Sequence, residues 1–420
     1  MKYSVITFGC RVNQADSLAI EEQLRARGGR ASAPADADVV IVNTCSVTAS
    51  ADQGARQTIR RIARDNPDVR VIVTGCYATR RPDEVAALPN VVRVVANERK
   101  EWLAGELTTA DRYGDGGGSC GSSLEPGVGG RTALTLRVQT GCDERCSYCI
   151  IPATRGSGRS RPAARVLDEI RRAVDAGYKE IAITGVHLGS YGRDLGDGTT
   201  LESLLRVLAE WPHEVLFRIS SLEPMDCSGI IVDLVAGSAR LAPHFHLPLQ
   251  HGSDEVLRAM QRPYTSAFYR RLADRIRERM PDAAIGSDLI AGFPGETGAQ
   301  FEELVRLLDA LPLTHLHVFP YSDRPGTVAS RLQGKVAGED VRARAAVLRQ
   351  IGRRLTHAFH LSQTGTLRRA LTVDDGAHVV TDNYLRMPLD RPLARNEWVH
   401  VRVGGEPGAL TAAVSEARSL

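Results

Sequence analysis

The chain has 420 residues, 43% of them apolar and 25% charged, with 53 Lys and Arg against 50 Asp and Glu for a net charge of +3. That balance excludes a chain too polar to build a core and predicts two or three globular domains, while so small a net charge argues neither for nor against a polyanionic partner. No apolar run approaches the ~18 residues that span a bilayer.

The N-terminus, MKYSVITFGC, lacks the apolar core and small-residue cleavage site of a secretory signal, so no membrane and a cytoplasmic location are expected. Thiols stay reduced there, which makes the eight cysteines candidates for ligands or inert core positions rather than disulfides.

Residues 1–113 alternate strands with helices. Strand-like runs cover Tyr3–Phe8, Val39–Asn43 and Val69–Thr74, and helical patterns cover Asp16–Arg27 and Gln53–Arg64. Strands separated by helices imply an open parallel α/β sheet with both faces covered. Residues 114–130, GDGGGSCGSSLEPGVGG, have no periodicity and abundant glycine, the composition of a flexible linker.

A second alternation runs over residues 131–360. Its candidate strands are Leu134–Gln139, Glu180–Thr184, Val215–Ser220, His244–Leu249, Ala283–Ile290 and His315–Phe319, with helical stretches such as Ala164–Ala176, Leu201–Glu210 and Phe301–Ala310 between them. Six βα units predict a partial (β/α)6 barrel, short of the eight that close one. Residues 361–420 change character: Thr366–Val373, His378–Met387 and Trp398–Val403 are expected as short strands of a small β-barrel.

The cysteines fall into two constellations. GCDERCSYC places Cys142, Cys146 and Cys149 in Cys-x3-Cys-x2-Cys spacing just after a predicted strand. A 4Fe–4S cluster normally takes four thiolates, so three leave one iron open to chelate S-adenosylmethionine (SAM) and reduce its sulfonium. Tyr148, between the last two cysteines, fits an aromatic cover for the adenine of SAM. Structural zinc would want four ligands, usually in two knuckles, and no second pair lies nearby.

The other constellation is dispersed. Cys10, Cys45 and Cys76 end SVITFGC, VVIVNTC and VIVTGC, each at the carboxyl end of a predicted parallel strand. Those ends share one sheet edge, where ligands bind. A lone cysteine there would be an ordinary buried hydrophobe, but three identical placements point to a ligand set. Cys120, in the linker, and Cys227, after SSLEPMD, have no partner pattern and are read as non-ligands.

Taken with FGCRVNQADS, VNTCSVTASAD, TGCYA, QTGCDERCSYCIIPATRG, ITGVHLGSYG, RISSLEP, HLPLQHGSD, SDLIAGFPGET and VFPYSDRPGT, these residues resemble the methylthiotransferases of the radical SAM superfamily over essentially the whole chain. The resemblance implies an auxiliary 4Fe–4S cluster on Cys10, Cys45 and Cys76 and the radical SAM cluster on Cys142, Cys146 and Cys149, which are then the catalytic cysteines. It also implies a C-terminal TRAM-like barrel that binds RNA, from whose pattern PLDRPLARNEWVHVRVGG departs.

FGCRVNQADS, IIPATRGSGRSRP and TDNYLRMPLD look like the branch that methylthiolates N6-threonylcarbamoyladenosine in tRNA. Branches acting on isopentenyladenosine or on an aspartate of a ribosomal protein are the alternatives. The implied reaction replaces C2–H of the adenine by C2–S–CH3, with one SAM giving its methyl to a sulfur and a second cleaved to a 5′-deoxyadenosyl radical. The N-terminal domain is therefore expected to cover the barrel mouth. The implied partners are the tRNA anticodon stem-loop, a reducing electron donor such as flavodoxin or ferredoxin, and a sulfur source.

Gly185 and Gly189 in ITGVHLGSYG, Glu223 in SSLEP and Gln250 in HLPLQHG follow predicted barrel strands, where active sites form, and are the candidate SAM contacts. Ordinary βα-turn chemistry accounts for them equally, and Glu223 could cap a helix. Residues 341–369 hold seven arginines and no acid, and 258–280 hold seven more against Asp274 and Glu278. Such clusters fit phosphate contact, or a solvated helical face.

Overall fold

The computed structural model describes residues 1–107, 126 and 132–415; Cys120 and all of the expected linker but Pro126 lie outside the described residues. The chain divides into two compact units, the first Met1–Leu124 with Thr140–Arg159 and Ser322–Ser330, the second Glu125–Gln139 with Ser160–Tyr321 and Arg331–Leu420.

The first unit is built on a five-stranded parallel sheet. Its strands lie in the order Arg30–Ala31, Lys2–Thr7, Val39–Thr44, Arg70–Gly75, Val91–Val95. Val39, Val40, Ile41 and Val42 are fully buried, as an unbroken β-branched run requires when both faces are covered. Each such side chain contributes about 1.5–3 kcal/mol of burial. The helix Ala49–Asp65 covers one face with Ala55, Ile59 and Ile62, recurring at helical spacing. Thr48 caps it, accepting the Ala51 N–H at 3.2 Å, worth about 1 kcal/mol. The helix Arg11–Ala26 buries Ile20 and Leu24 against Tyr3, Val39, Ile41 and Ile72 on the other face. The expected strands and helices are therefore present, each shifted by a few residues.

In the second unit six parallel strands form two three-stranded sheets: Leu134–Arg137, Glu180–Thr184 and Leu216–Ile219, then His244–His246, Ala284–Ala291 and His315–Pro320. Isolated parallel bridges from Phe217 to Leu241 and from Ser221 to His246 join the two. This is the partial six-stranded barrel that the alternation predicts. Leu136, Ile181, Ile183, Phe217, Leu247, Ile285 and Leu289 build its core with the flanking helices.

The helix Gly338–Gln363 leads into five antiparallel strands, Leu367–Val373, His378–Thr381, Arg386–Pro388, Trp398–Glu406 and Ala409–Val414. A bridge from Leu389 to Ala412 nearly closes them into a barrel. The single run expected over His378–Met387 is two strands, because Tyr384 turns with φ 76°. The strand Ala409–Val414 had no pattern that marked it apart from the chain end. Arg218, fully buried, pairs with Glu180 at 3.0 and 3.1 Å and reaches the carbonyl of Asp382, also at 3.0 Å. It thereby ties the small barrel to the large one. No helix among the described residues is long and apolar enough to cross a membrane.

Candidate active site

The sheet of the first unit delivers Cys10, Cys45 and Cys76 to its carboxyl edge. Cys45 and Cys76 follow directly on Val39–Thr44 and Arg70–Gly75, and Cys10 follows Lys2–Thr7 by three residues. Cys10 is exposed and the other two are buried. Burial pushes the Cys45 thiol up to about 11, and its neighbours Cys10 and Cys76 push in the same direction against the Val47 and Ser46 amides. A thiol in that state needs a bound cation to become a thiolate ligand.

Glycine permits the convergence. Gly9 sits at φ 90°, and a Cβ there would lie 2.6 Å from the Cys45 sulfur. Asn13 binds the two cysteine-bearing ends together, its Nδ2 donating to the carbonyls of Phe8 at 2.8 Å and Thr44 at 3.0 Å.

Beneath them lies a buried charge network that the sequence reading did not anticipate. Asp16 Oδ2 accepts Lys100 Nζ at 2.9 Å and Arg155 Nη2 at 3.2 Å, and the three residues are only 5%, 4% and 3% exposed. Lys100 also donates to Asn43 Oδ1 at 3.0 Å, and Arg155 to Asn13 Oδ1 at 2.5 Å. Burial lowers the Lys100 ammonium from its ordinary value, with Asp16 opposing. Burial acts on Arg155 the same way but is outweighed by Asp16 and then by the thiols of Cys76 and Cys10, so its pKa is raised.

Two cations against one carboxylate leave a surplus positive charge in the interior. A surplus of that kind is stable only beside an anion. The anionic thiolates of a cluster at Cys10, Cys45 and Cys76 supply one, and Asn97 Nδ2 already lies 3.7 Å from the Cys76 sulfur. Donor set, glycine cradle and buried cations all fit a 4Fe–4S cluster held by these cysteines.

Cys142, Cys146 and Cys149 belong to the same compact unit. They lie, half-buried, on a segment without regular structure between Gln139–Thr140 and the short helix Ile151–Arg155. Gly141, at φ 74°, lets the loop pass the carbonyl of Ser157 where a Cβ would clash at 1.9 Å. The Cys142 N–H donates to Gly156 O at 3.0 Å, and Ile151 N–H to the Cys149 sulfur at 3.4 Å. Three thiols on one loop, two residues from a helix start, fit a cluster with one iron left open. Tyr148 sits half-exposed on this loop.

Arg155 closes the helix that follows, so its reach to Asn13 and Asp16 fastens the loop's far end to the helix Arg11–Ala26. Asn97 assists, donating to Thr154 O at 2.8 Å. A second shared carboxylate, Asp52, takes Arg80 at 2.7 Å and Arg324 at 3.0 Å. The signal for these residues was there in kind: Asn13, Asp16, Asp52, Arg155 and Arg324 all sit inside the quoted motifs. Lys100 carried none.

The candidate SAM contacts lie in the second unit. Gly185 and Gly189 have packing duties: a Cβ at Gly189 would meet Asp226 at 2.2 Å, and one at Gly185 would meet Gln139 at 3.0 Å. Glu223 starts a short 3-10 helix, but its side chain makes no cap bond and is paired with Arg262. Gln250, at φ 66°, lies four residues beyond the strand His244–His246 in an isolated bridge to Leu289, exchanging backbone hydrogen bonds with Asp288 and Ile290. A non-glycine residue in the left-handed region costs free energy and clusters at functional sites. Cys227 is a buried core thiol pushed up to about 12 by burial and Asp226, as its lack of a pattern implied.

The arginine runs are less available for phosphate than their count suggests. Arg344 pairs with Glu296 at 2.8 Å, Arg275 and Arg279 with Asp233, Arg354 with Asp309, and Arg368 with Asp282 and Asp382. Arg258, Arg270, Arg271, Arg342, Arg349 and Arg353 remain exposed.

Family models place this geometry. Residues 2–97 match the uncharacterized protein family UPF0004, and residues 136–308 match the radical SAM superfamily. The chain is 34% identical to the threonylcarbamoyladenosine tRNA methylthiotransferase MtaB of Rickettsia prowazekii, over 94% of this chain and 93% of that one. It is also 34% identical to the tRNA-2-methylthio-N(6)-dimethylallyladenosine synthase of Oleidesulfovibrio alaskensis, over 86% and 81%. Among solved structures its fold is similar to the radical S-adenosylmethionine methyltransferase TsrM of Kitasatospora setae, with cobalamin and a [4Fe-4S] cluster bound, at TM-score 0.55 and 18% identity over 78% of this chain and 73% of that one.

Proposed function

The chain belongs to the radical SAM methylthiotransferases, and from that premise we propose that it converts N6-threonylcarbamoyladenosine beside the tRNA anticodon to its 2-methylthio derivative. The observation that carries the reading is the pair of three-cysteine sets in one compact unit, joined through Arg155. One set would suffice to make a radical; a second is what sulfur insertion needs.

Bound at these sites, two 4Fe–4S clusters and SAM supply radical cleavage and a sulfur bearing a methyl group. The side chains do the rest. Cys10, Cys45 and Cys76 ligate the auxiliary cluster while Lys100 and Arg155 balance its negative charge. Cys142, Cys146 and Cys149 would hold the radical SAM cluster by three thiolates, and Tyr148, half-exposed on the same loop, would cover the adenine of SAM. Gln250 and Glu223 would contact SAM at the barrel strand ends, with Arg262 orienting Glu223 and with Gly185 and Gly189, packed on Gln139 and Asp226, shaping the turn beside them. The need for radicals is chemical: the C2–H of adenine is not acidic, and no side chain removes it at neutral pH.

The exposed arginines of 258–280 and 341–369 and the small C-terminal barrel contact the phosphates of the anticodon stem-loop, which positions the RNA without reading it. Electrons come from a flavodoxin- or ferredoxin-type donor and sulfur from a separate source. The reaction takes place in the cytoplasm, where tRNA and reducing conditions coincide.

Mass spectrometry of tRNA nucleosides from a deletion strain tests this. Loss of 2-methylthio-threonylcarbamoyladenosine with accumulation of its precursor is the expected result. Loss of the methylthio isopentenyl nucleoside alone would transfer the chain to the other tRNA branch.

A further inference from the structure

The inner wall of the barrel carries an unusual concentration of imidazoles. His244 and His246 lie on one strand, Asp288 on the next and His315 and His317 on the third, in parallel register. His246 Nε2 and His317 Nδ1 approach the same carboxylate oxygen, Asp288 Oδ1, at 3.0 and 3.1 Å. Burial would raise the Asp288 carboxyl, but the hydrogen bonds from His246 and His317 outweigh it and hold it below the usual carboxylate range.

These side chains share the face turned away from the covering helices. Leu316, between the two histidines of the third strand, packs on the helix Gly338–Gln363 at Gly352. Alternation along the strand then turns His315, His317 and Phe319 inward together. His315 lies half-buried at the foot of the group, pushed down to about 4 by burial and by its neighbours His246 and His317. His317 is 56% exposed, and Phe319, two residues nearer the strand's carboxyl end, is 39% exposed.

We propose that His246, Asp288 and His317 form the subsite for the polar substituent of the modified base, the threonylcarbamoyl group, with Phe319 as the ring on which the purine stacks. The inference rests on the tRNA reading above and names the residues that choose between its two branches. An unpaired base is held by stacking and by hydrogen bonds to its edges. Asp288 and His317 lie three residues below the ends of their strands, about 10 Å at 3.3 Å per residue. A purine with one amino-acid residue beyond it reaches to that depth, while the carbon under attack stays near the mouth where barrel active sites form.

The chemistry discriminates. The threonylcarbamoyl group brings ureido N–H, hydroxyl and carboxylate groups, and an imidazole both donates and accepts. Asp288 Oδ1 is engaged by both rings, so the ligand meets imidazole nitrogens rather than that oxygen. A dimethylallyl group would desolvate the same imidazoles and return nothing. Sites built to hydrogen-bond a substrate reject the analogue that lacks the partner far more strongly than apolar pockets reject a missing methylene.

The test uses anaerobically reconstituted holoenzyme, normalised to iron content, with two tRNAs whose anticodon-loop adenosine carries either threonylcarbamoyl or dimethylallyl. His317→Phe is expected to lower kcat/KM on the threonylcarbamoyl tRNA about tenfold, chiefly through KM, the loss of one net hydrogen bond. The same variant should narrow the preference over the dimethylallyl tRNA, and His317→Gln should restore most of both. Phe319→Ala should weaken both tRNAs alike. A His317→Phe enzyme that treats the two tRNAs as wild type does overturns the proposal, even if metal analysis shows that it has lost a divalent cation. Wild-type turnover of the dimethylallyl tRNA alone would instead defeat the reading on which the subsite rests.

Discussion

Lys100 Nζ lies 2.9 Å from Asp16 in the interior of the first unit, 84 residues apart in sequence and both almost fully buried. Arg155 completes the arrangement, so one carboxylate serves two cations. Removing the carboxylate strands both. Asp16→Ala should destabilise the apoprotein by about 3–5 kcal/mol, read as a fall in the denaturant midpoint of its first unfolding transition. Lys100→Met, which leaves the Arg155–Asp16 pair intact, should cost much less.

The cradle at Gly9 makes a compositional prediction. A methyl group at φ 90°, 2.6 Å from the Cys45 sulfur, forces that cysteine aside. Gly9→Ala should therefore bind about four irons after reconstitution where the wild type binds about eight, for two four-iron clusters. Iron analysis and the visible absorbance of the purified protein measure it. Retention of the full complement would show that Cys45 is not held as described.

His251 gives the second unit an acid limit. Burial first, and then Arg344, push its imidazole down to about 3, and the ring accepts the Ser253 N–H at 3.0 Å in its neutral form. Because the folded pKa lies below the unfolded one, its contribution is full above about pH 6.5 and is lost as pH falls toward 3. Stability should fall by up to about 1.4 kcal/mol per pH unit across that window from this group alone. Denaturant titrations of His251→Gln between pH 7 and 4 should show a shallower slope than wild type.

Cys227 should be chemically silent. Its thiol is buried and pushed up to about 12, so alkylating agents at pH 8 should leave it unmodified in the folded protein and label it after denaturation. Peptide mass spectrometry distinguishes the two states.

Much of this was legible in the chain. Apolar runs such as VVIVNT, separated by helical patterns and each ending at a cysteine, announced a parallel sheet with cysteines along one edge, because burial on both faces demands such residues. The six barrel strands were visible for the same reason. What stayed hidden depends on contacts across long sequence distances. Nothing local marks Lys100 as the partner of Asp16, or His246 and His317 as partners of Asp288: the packing of the 3-10 turn Asn97–Trp102 on the helix Arg11–Ala26 makes the first pair, and strand pairing makes the others. The arginine runs misled in the opposite direction: a count of charges does not reveal that Arg344 is committed to Glu296 or Arg354 to Asp309.

The central claim is a division of labour between two clusters, and Cys10 separates them most directly. Anaerobically reconstituted wild type and Cys10→Ala would be given SAM, reductant and tRNA bearing N6-threonylcarbamoyladenosine, with 5′-deoxyadenosine and the 2-methylthio nucleoside both measured. The wild type should form both products. The variant should still cleave SAM to 5′-deoxyadenosine and form no methylthio product. Full methylthiolation by Cys10→Ala would contradict the assignment of Cys10, Cys45 and Cys76 to the sulfur-delivering cluster.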